Sequence, residues 1–512
     1  MSITTENNKR IAKNTLLLYI RMLLTMVVSL YTSRVILKTL GVEDYGIYNV
    51  VGGVVSMFSI LSGSLSAAIS RFITFELGRN NVEKLKNVFS SAVTIQIGLA
   101  LIIILLAETI GIWFLNEKMV IPVERMNAAN WVYQFSILTF AVQLISVPYN
   151  ASIIAHEKMS AFAYISILEV IGKLMVAFSI AITPIDRLVY YGLLLMLVSL
   201  TICLIYGNYC RRKFEECTYH FKFDQSLLKQ MFGFAGWNFI GASSAVLRDQ
   251  GGNIVINMFC GPAVNAARGI AIQVSNAIQG FVTNFMTALN PQITKSYASG
   301  NFDYMMTLIF QGARLSYYIL LLLSLPVILN AEYILSIWLG IVPEHTIRFV
   351  QLVLIFAMSE SLASPLITAM LATGNIRNYQ LVVGGLQLLN LPLSYLFLRM
   401  GYSPEIVFII AIIISVCCEM SRLYMLRAMI HLPVGRFLHK VYFNVIIVSI
   451  TSAAFPYWII NDIEPNFINL VWTTLLCFVC TLISILFIGC NKSERILVYQ
   501  KIQVIKNKLI RK

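Results

Sequence analysis

Long uninterrupted runs of apolar residues constrain the fold of this chain more than any other feature of its sequence. The segments from Leu99 to Leu106 and from Ile406 to Cys418 are two examples. A helix that crosses a bilayer takes about 20 mostly apolar residues, and 58% of the 512 residues are hydrophobic. Only 12% are charged, whereas about a quarter are charged in soluble proteins. The sequence therefore predicts an all-α polytopic membrane protein and argues against a soluble enzyme.

Hydropathy combined with the positions of turn-forming residues predicts fourteen transmembrane helices. The predicted turns include Leu40-Gly41-Val42-Glu43-Asp44, Gly261-Pro262, Asn290-Pro291, Thr373-Gly374-Asn375 and Ser403-Pro404-Glu405. The predicted spans are 14–36, 45–70, 87–115, 128–155, 159–183, 188–209, 231–259, 263–290, 303–329, 346–373, 379–399, 405–430, 440–460 and 467–489. An even number of spans places both termini on the same side of the membrane.

The distribution of Lys and Arg predicts which side that is. With a cytoplasmic N-terminus, 25 of the 38 basic residues lie in cytoplasmic segments, six lie on the opposite side and seven lie within spans. Basic residues are concentrated in the cytoplasmic loops of membrane proteins, so we expect both termini in the cytoplasm. The net charge of +14 then requires no nucleic-acid partner, because the basic segments face anionic lipid headgroups.

Several short matches recur at one common separation and indicate an internal duplication. Gly41-Val42 corresponds to Gly261-Pro262, and Phe72-Ile73-Thr74 corresponds to Gln292-Ile293-Thr294. Together they predict a duplicated six-helix unit, whose two copies have the same orientation in the membrane. The predicted organisation is an N-terminal six-helix lobe at 1–212, a C-terminal six-helix lobe at 213–435, two additional transmembrane helices at 436–490 and a basic amphipathic cytoplasmic tail at 491–512.

No segment is long enough to hold a catalytic domain. The longest predicted loop, from Cys210 to Gln230, has about 20 residues. The sequence also has no phosphate-binding glycine loop, no zinc-protease motif and no metal-spaced group of Cys and His. We expect His156-Glu157-Lys158 to form a solvated turn, and Cys477 and Cys480 to be small apolar core residues. These features favour a transporter without a metal or cofactor over an enzyme.

Charged residues within the predicted spans are the candidates for function, because a charge at the centre of a membrane helix costs at least about 2.5–3.5 kcal/mol. Glu169 with Lys173, and Glu419 with Arg422, are spaced to neutralise each other on a helix. Five arginines have no evident local partner and are predicted to line a cationic substrate path: Arg21, Arg34, Arg248, Arg268 and Arg314. Arginine suits phosphate, because its guanidinium can bind two oxygens.

Two features of these arginines qualify the prediction. Arg248 and Asp249 are adjacent, so on a helix they point about 100° apart and are not expected to cancel each other. For Arg34 and Arg268, near the outer ends of their predicted spans, the alternative is that the side chain extends to the membrane surface.

The sequence also resembles a known group of transporters. The resemblance is carried by Asn14-Thr15, Leu40 to Tyr48, Arg71-Phe72, Phe234 to Asn238 and Gly261 to Val264. Together with fourteen spans, two six-helix repeats and arginines in the first span, these residues are similar to the polysaccharide exporters of the multidrug/oligosaccharidyl-lipid/polysaccharide (MOP) flippase superfamily, and especially to the Wzx-type O-antigen flippases. No motif specifies the sugar.

This resemblance implies a V-shaped cavity between the two lobes and a polyprenyl-pyrophosphate-linked oligosaccharide as the substrate. Repeat units of O-antigen, capsule or exopolysaccharide would move from the cytoplasmic to the outer leaflet of the bacterial cytoplasmic (inner) membrane by alternating access. The resemblance further implies coupling to an H⁺ or Na⁺ gradient or to the membrane potential, for which Asp249, Glu360 and Glu419 are the acidic candidates. The expected partners are membrane lipids and other polysaccharide assembly proteins.

Three other classes of protein compete with this interpretation. A cation-coupled drug or metabolite antiporter of the same superfamily would need a cavity dominated by acidic and aromatic residues, whereas the intramembrane charges here are mostly Arg. A glycan polymerase would need a large outer loop, which the sequence lacks. A scaffold without transport activity would have no reason to retain so many charges in the membrane.

Overall fold

All regular elements in the described part of the chain are helical. The structure, a computed structural model, describes residues 3–56, 59–117, 121–184, 186–220, 225–339, 342–460, 466–491 and 494–495. The prediction of an all-α protein is therefore confirmed.

Seven α-helices come before residue 220, and ten follow it within the described ranges. The first seven are α1 Ile3–Ser56, α2 Ser59–Gly78, α3 Val82–Leu106, α4 Ile112–Glu117, α5 Met126–Ala155, α6 Met159–Ser179 and α7 Arg187–Lys213. The others are α8 Gln225–Ala298, α9 Phe302–Leu329, α10 Ala331–Leu339, α11 Thr346–Thr373, α12 Arg377–Leu388, α13 Asn390–Arg399, α14 Ile406–Ile430, α15 Val434–Phe437, α16 Asn444–Ile460 and α17 Phe467–Ser484. Three short π-helical segments adjoin them, at Ala107–Gly111, Leu438–Phe443 and Ile485–Gly489.

Eleven helical segments within the described residues are long and apolar enough to cross a membrane. Each coincides with one of the fourteen predicted spans. The three predicted spans without such a counterpart are 45–70, 231–259 and 263–290, and all three lie in α1, α2 or α8. The stretches 231–259 and 263–290 are helical, but their many Gly, Ser and Asn residues lower their hydropathy. The stretch 45–70 is divided between α1 and α2 at residues 57–58, which lie outside the described residues.

At two of the predicted turns the structure has continuous helix. α1 continues without a break through the segment from Leu40 to Asp44, and α8 continues through Asn290-Pro291. Glycine and proline weaken a helix, yet neither residue interrupts the helix at these two positions.

At Gly261-Pro262 the helix is not interrupted, yet the chain changes direction. The Arg268 guanidinium donates to the backbone oxygen of Asp249 at 2.9 Å. On a straight helix these two positions would be separated by about 28 Å, so α8 must bend sharply between them. Proline is the usual cause of a sharp bend, and Pro262 lies in this stretch.

The turn predicted at Thr373-Gly374-Asn375 is confirmed, because α11 ends at Thr373. Gly374 has a φ of 77°, a left-handed conformation that favours glycine. A Cβ atom at this position would lie 2.4 Å from Nη2 of Arg71. Both the backbone conformation and the close approach of Arg71 therefore require glycine here.

The helix boundaries recur at the spacing that the predicted duplication requires. α3 begins at Val82 and α9 at Phe302, while α5 begins at Met126 and α11 at Thr346. The turns before α3 and α9 contain Asn80 and Gly300, with positive φ values of 56° and 74°. In each of these three pairs, the two positions are separated along the sequence by the same number of residues as Gly41 and Gly261. The order of elements therefore follows two copies of a six-helix unit.

The chain forms two compact units. Unit 1 comprises Met1–Ser243, Thr287–Asn301 and Leu371–Gln380, and unit 2 comprises Ser244–Met286, Phe302–Met370 and Leu381–Lys512. The division by sequence at 212, 435 and 490 stays a prediction. Most of the predicted tail at 491–512 lies outside the described residues.

Each unit has its own apolar core. In unit 1, Val132 and Tyr133 of α5 pack with Leu188 of α7. The Tyr133 hydroxyl donates to the Ala107 oxygen at 2.9 Å, and the absence of a side chain at Gly111 leaves room for it.

In unit 2, Phe349 and Val353 of α11 pack with Phe408 of α14 and Ala271 of α8. The aromatic rings of Phe349 and Phe408 lie 5.1 Å apart between centroids.

Candidate functional site

Unit 2 contains a cluster of charged side chains on α8 and α11. The Nε atom of Arg248 donates to Oδ1 of Asp249 at 2.9 Å, and its Nη1 atom lies 4.0 Å from Oε2 of Glu360. The guanidinium also lies over the Phe356 ring, 5.1 Å from the centroid. The Arg248 side chain is 15% exposed, so two carboxylates and an aromatic ring replace most of its hydration.

The prediction that Arg248 and Asp249 do not pair is wrong. Adjacent Cβ atoms do point about 100° apart on a helix. The long Arg248 side chain nevertheless reaches around to the neighbouring carboxylate.

Arg268 contributes a second guanidinium to this cluster, and this one is buried. It donates to the Asn253 side-chain oxygen and to the backbone oxygen of Asp249. These two acceptors are neutral, so the hydrogen bonds satisfy donors without cancelling the positive charge. Arg268 is only 6% exposed, which argues against its extension to the membrane surface.

The charged cluster adjoins a small cavity whose lining is mostly apolar. Arg248, Asp249 and Arg268 line it together with Asn390 and Ser394, and its volume is about 40 Å³. This volume holds a few water molecules but no sugar ring. In this conformation the cavity can bring solvent or a small ion to the two arginines.

The other acidic candidates lie nearby in unit 2. Glu360 accepts a hydrogen bond from Ser415 of α14, and Glu419 of α14 accepts one from Tyr442. Glu419 is fully buried. Its predicted pairing with Arg422 stays a prediction, whereas the predicted pair of Glu169 and Lys173 is confirmed at 2.6 Å.

Arg314 does not join the cluster. Its Nη2 atom donates to Glu494 at 2.8 Å and its Nη1 atom donates to the Gly489 oxygen at 3.0 Å. Arg314 therefore has partners, although none of them is close to it in sequence. Glu494 follows α17, far along the chain from α9 and beyond the reach of any local pattern.

The first-span arginines belong to unit 1. Arg21 lies over the Phe162 ring of α6 at 4.7 Å, and its Nη1 atom is 3.5 Å from the Ser166 hydroxyl. The side chain of Arg34 lies outside the described residues. The roles predicted for Arg21, Arg34, Arg248, Arg268 and Arg314 in substrate binding stay predictions.

Unit 1 contains a buried and paired carboxylate that the sequence did not reveal. Glu157 has a side chain only 1% exposed and pairs with Nε of Arg10 and Nζ of Lys295, both at 2.7 Å. Gln292 donates to it at 2.6 Å, and Asn14 donates to its backbone oxygen at 3.3 Å. The expectation that this turn is solvated is therefore wrong.

The neighbouring His156 is also held in place. Its ring stacks on Phe214 with 4.0 Å between centroids, and its Nε2 atom contacts Oε1 of Glu216. Burial acts to raise the pKa of Glu216, but the hydrogen bond from His156 and the charges around it outweigh burial and leave this pKa below its usual value.

Arg71 makes a third long-range contact within unit 1. Its Nε and Nη2 atoms donate to the oxygens of Leu371 and Ala372 at 3.2 and 3.1 Å. These carbonyls belong to the last turn of α11, where helix carbonyls lack their usual partners, although the Leu371 oxygen also accepts the Gly374 N–H at 3.1 Å. Arg71 thus caps the end of α11.

No group of three or more His, Cys, Asp or Glu side chains in the described ranges is placed to hold a metal ion.

Two family models match the chain. A model described as "Polysaccharide biosynthesis protein" matches residues 10–297, and the MatE model matches residues 250–396. The uncharacterized membrane protein EpsK of Bacillus subtilis (strain 168) is 21% identical over 326 residues, which are 62% of this chain and 63% of that protein. The chain thus spans about 63% of the length of the curated relative that it matches.

Solved transporter structures share the fold. A MATE transporter in the bent conformation has a TM-score of 0.72 at 13% identity and covers 86% of this chain and 100% of its own. An outward-facing multidrug resistance MATE family transporter of the MOP superfamily has a TM-score of 0.69 at 15% identity, with coverages of 83% and 96%. A MOP superfamily transporter from Pyrococcus furiosus has a TM-score of 0.66 at 14% identity, also with coverages of 83% and 96%.

The fold and the apolar helices are those of a polytopic helical membrane protein. The matched family models define the class as a transporter of the MOP superfamily, so the predicted superfamily is confirmed. The matched families are families of transporters rather than enzymes. Within the superfamily, this chain belongs to the polysaccharide biosynthesis protein family, whose model covers more than half of its residues.

Proposed function

We propose that this transporter is a flippase that moves polyprenyl-pyrophosphate-linked oligosaccharide from the cytoplasmic to the outer leaflet of the bacterial cytoplasmic membrane. The observation that carries the proposal is a pair of arginines on α8, the partly buried Arg248 and the buried Arg268, in a chain of a polysaccharide biosynthesis family. Buried guanidinium groups are costly in a membrane, and a pyrophosphate is a ligand that their paired donors can bind.

The carboxylates around Arg248 suggest how transport is coupled to an ion gradient. Asp249 and Glu360 pair with the Arg248 guanidinium in this structure, and a phosphate would need the same guanidinium as its ligand. Protonation of either carboxylate, or binding of Na⁺ to it, weakens its hold on Arg248 and increases the affinity of Arg248 for phosphate. The fully buried Glu419 is a third candidate for such a site. No bound cofactor and no covalent step are required.

The Glu157 network is suited to close the cytoplasmic side. Arg10 and Glu157 come from the first sequence repeat, whereas Gln292 and Lys295 come from the second. Alternating access requires contacts that form in one state and break in the other. We assign this role to the network, since charged side chains can be hydrated once they separate.

A second candidate function is cation-coupled export of drugs or metabolites. The MatE match at residues 250–396 and the fold shared with multidrug transporters favour it. The acidic residues Asp249, Glu360 and Glu419 would then bind an organic cation or its coupling ion. The two arginines of α8 have no evident role in binding a cation, which makes this function the weaker candidate.

The test is complementation of a strain that lacks the gene. Wild-type protein should restore surface glycan, while Arg248→Gln and Arg268→Gln should not, and lipid-linked oligosaccharide should accumulate on the cytoplasmic leaflet. Arg399→Gln is the matched control, because Arg399 is an exposed arginine at the end of α13. Normal surface glycan in the deletion strain, without another exporter, would refute the proposal.

A reconstituted assay separates the two functions. Proteoliposomes with wild-type protein should translocate a polyprenyl-pyrophosphate-linked oligosaccharide, with a rate that changes when an H⁺ or Na⁺ gradient is imposed. Transport of organic cations but not of this lipid would establish the antiporter instead.

Other polysaccharide assembly proteins and membrane lipids are the proposed partners.

A further inference from the structure

A second pocket in unit 2 lies where α9 begins and where the chain passes from α14 to α16. Its volume is about 250 Å³, several times that of the cavity beside Arg248. Its polar and charged lining is formed by Thr307, Gln311, Arg314, Arg436, Lys440 and Asn491.

The lining of this pocket is strongly basic. Arg436 and Lys440 are exposed and one helical turn apart in sequence, while Arg314 is buried with 5% of its side chain accessible. No Asp or Glu is among the described lining residues. Glu494 pairs with Arg314 at 2.8 Å, so it neutralises one of the three cations and leaves the two exposed ones available to an anion.

The pocket is built on a fixed scaffold. The Phe310 and Phe437 rings pack edge to face, 5.1 Å apart. Arg314 donates to the oxygen of Gly489, the last residue of one π-helical segment, and Lys440 lies in another. Rare π-helical turns occur frequently at functional sites, and two of the three in the described residues adjoin this pocket.

An apolar surface begins beside the basic groups. Phe443 and Ile446 follow Lys440 along the chain and are 56% and 54% exposed. The segment Val434–Ile460 is long and apolar enough to cross a membrane, so these exposed side chains face acyl chains. Along the chain, the cationic groups come directly before an apolar helix that faces lipid. A phospholipid has the matching order, with a phosphate headgroup followed by acyl chains.

We propose that this pocket binds the phosphate headgroup of an anionic glycerophospholipid, with its acyl chains along Phe443 and Ile446. The basic-residue count assigns this side to the cytoplasm, where anionic lipids attract juxtamembrane Lys and Arg. The chain's own tail is a poor occupant, because its residues beyond 495 include Lys501, Lys506 and Lys508. This site goes beyond the proposed transport activity and does not depend on it.

The test compares lipid binding by the full chain and two matched double variants. Arg436→Gln/Lys440→Gln removes the two exposed cations. Arg212→Gln/Lys213→Gln removes two exposed cations at the end of α7 instead. Each protein is titrated with phosphatidylglycerol in detergent, and bound lipid is counted by native mass spectrometry. Phosphatidylcholine and inorganic phosphate serve as the other probes.

We expect phosphatidylglycerol to bind the wild type and the α7 variant equally, and the pocket variant about 30-fold more weakly, since each cation lost near an anionic surface weakens binding about fivefold. Arg436→Lys/Lys440→Arg should bind like the wild type, and Lys440→Gln alone should bind about fivefold more weakly. Equal binding by the wild type and the pocket variant would overturn the proposal. So would displacement of the lipid by millimolar inorganic phosphate, which would define a site for a soluble anion, or equal retention of phosphatidylcholine.

Discussion

Replacing Glu157 by glutamine tests whether the network around this residue holds the cytoplasmic side closed. Glutamine keeps the size of the side chain but removes the charge that Arg10 and Lys295 share. Removing one partner of a buried ion pair costs about 3–5 kcal/mol. Arg10 is 49% exposed and Lys295 23% exposed, so water recovers much of the loss, especially at Arg10. We therefore expect the contact to weaken by about 2–3 kcal/mol.

This loss should appear as faster hydrogen exchange in the segments that meet at Glu157. A change of about 2–3 kcal/mol increases the population of the open form about 30- to 160-fold. Exchange through such a local opening follows that population. Hydrogen exchange with mass spectrometry should therefore show acceleration of this order in peptides covering 154–160 and 287–301.

Two further variants control for simple loss of charge. Glu83→Gln removes an exposed carboxylate from the first turn of α3 and should leave these peptides unchanged. Lys295→Met combined with Glu157→Gln should restore part of the protection from exchange, because no unpaired ammonium then remains buried. The coupling energy between the two substitutions should exceed about 1 kcal/mol. Acceleration below threefold in Glu157→Gln would show that the network does not hold this region closed.

Three other predictions concern stability. Because Glu216 has a lowered pKa in the folded protein, its carboxylate stabilises the fold above its usual pKa of 4.5 and loses this effect as the pH falls through the lower folded value. Between pH 5 and 3, the melting temperature of Glu216→Gln should therefore fall less than that of the wild type. An equal dependence of melting temperature on pH in the two proteins would contradict the role of this ion pair. Gly111→Ala should lower stability by about 1–3 kcal/mol, because its Cβ would lie 1.8 Å from the Tyr133 hydroxyl; Gly98→Ala, whose Cβ meets nothing within 4 Å, should not lower the melting temperature. Arg71→Gln should uncap α11 and cost about 1–3 kcal/mol, seen as faster exchange at residues 368–374, and unchanged exchange there would rule out the cap.

The membrane-spanning helices and their duplication could be predicted from the sequence because both depend on local composition. Eleven predicted spans coincide with helical segments long enough to cross a membrane, and the starts of α3 and α9 are separated by one repeat length. Breaks in these helices were harder to predict. Gly41 and Pro291 indicate turns, but the helix continues through both.

The partners of the charged residues could be predicted only where they are close in sequence. Glu169 and Lys173 pair across one helical turn, as their spacing requires. Arg314 forms an ion pair with Glu494, and Arg10 forms one with Glu157, although several helices separate the members of each pair along the chain. No pattern within a helix can specify such pairs, because they depend on which helix ends meet in the folded protein.

By itself, the sequence determined that this protein is a helical membrane transporter with two six-helix repeats and that it keeps arginines within its membrane helices. Hydropathy, spacing and composition suffice for this, because each acts over one helix or one repeat. Only the tertiary structure decided what surrounds each charge. It placed Arg248 between Asp249 and Glu360, engaged Arg314 with Glu494 and buried Glu157 between Arg10 and Lys295. The physical reason is that a charge within apolar helices is stabilised by its nearest neighbours in space, and packing brings these neighbours together from distant parts of the chain.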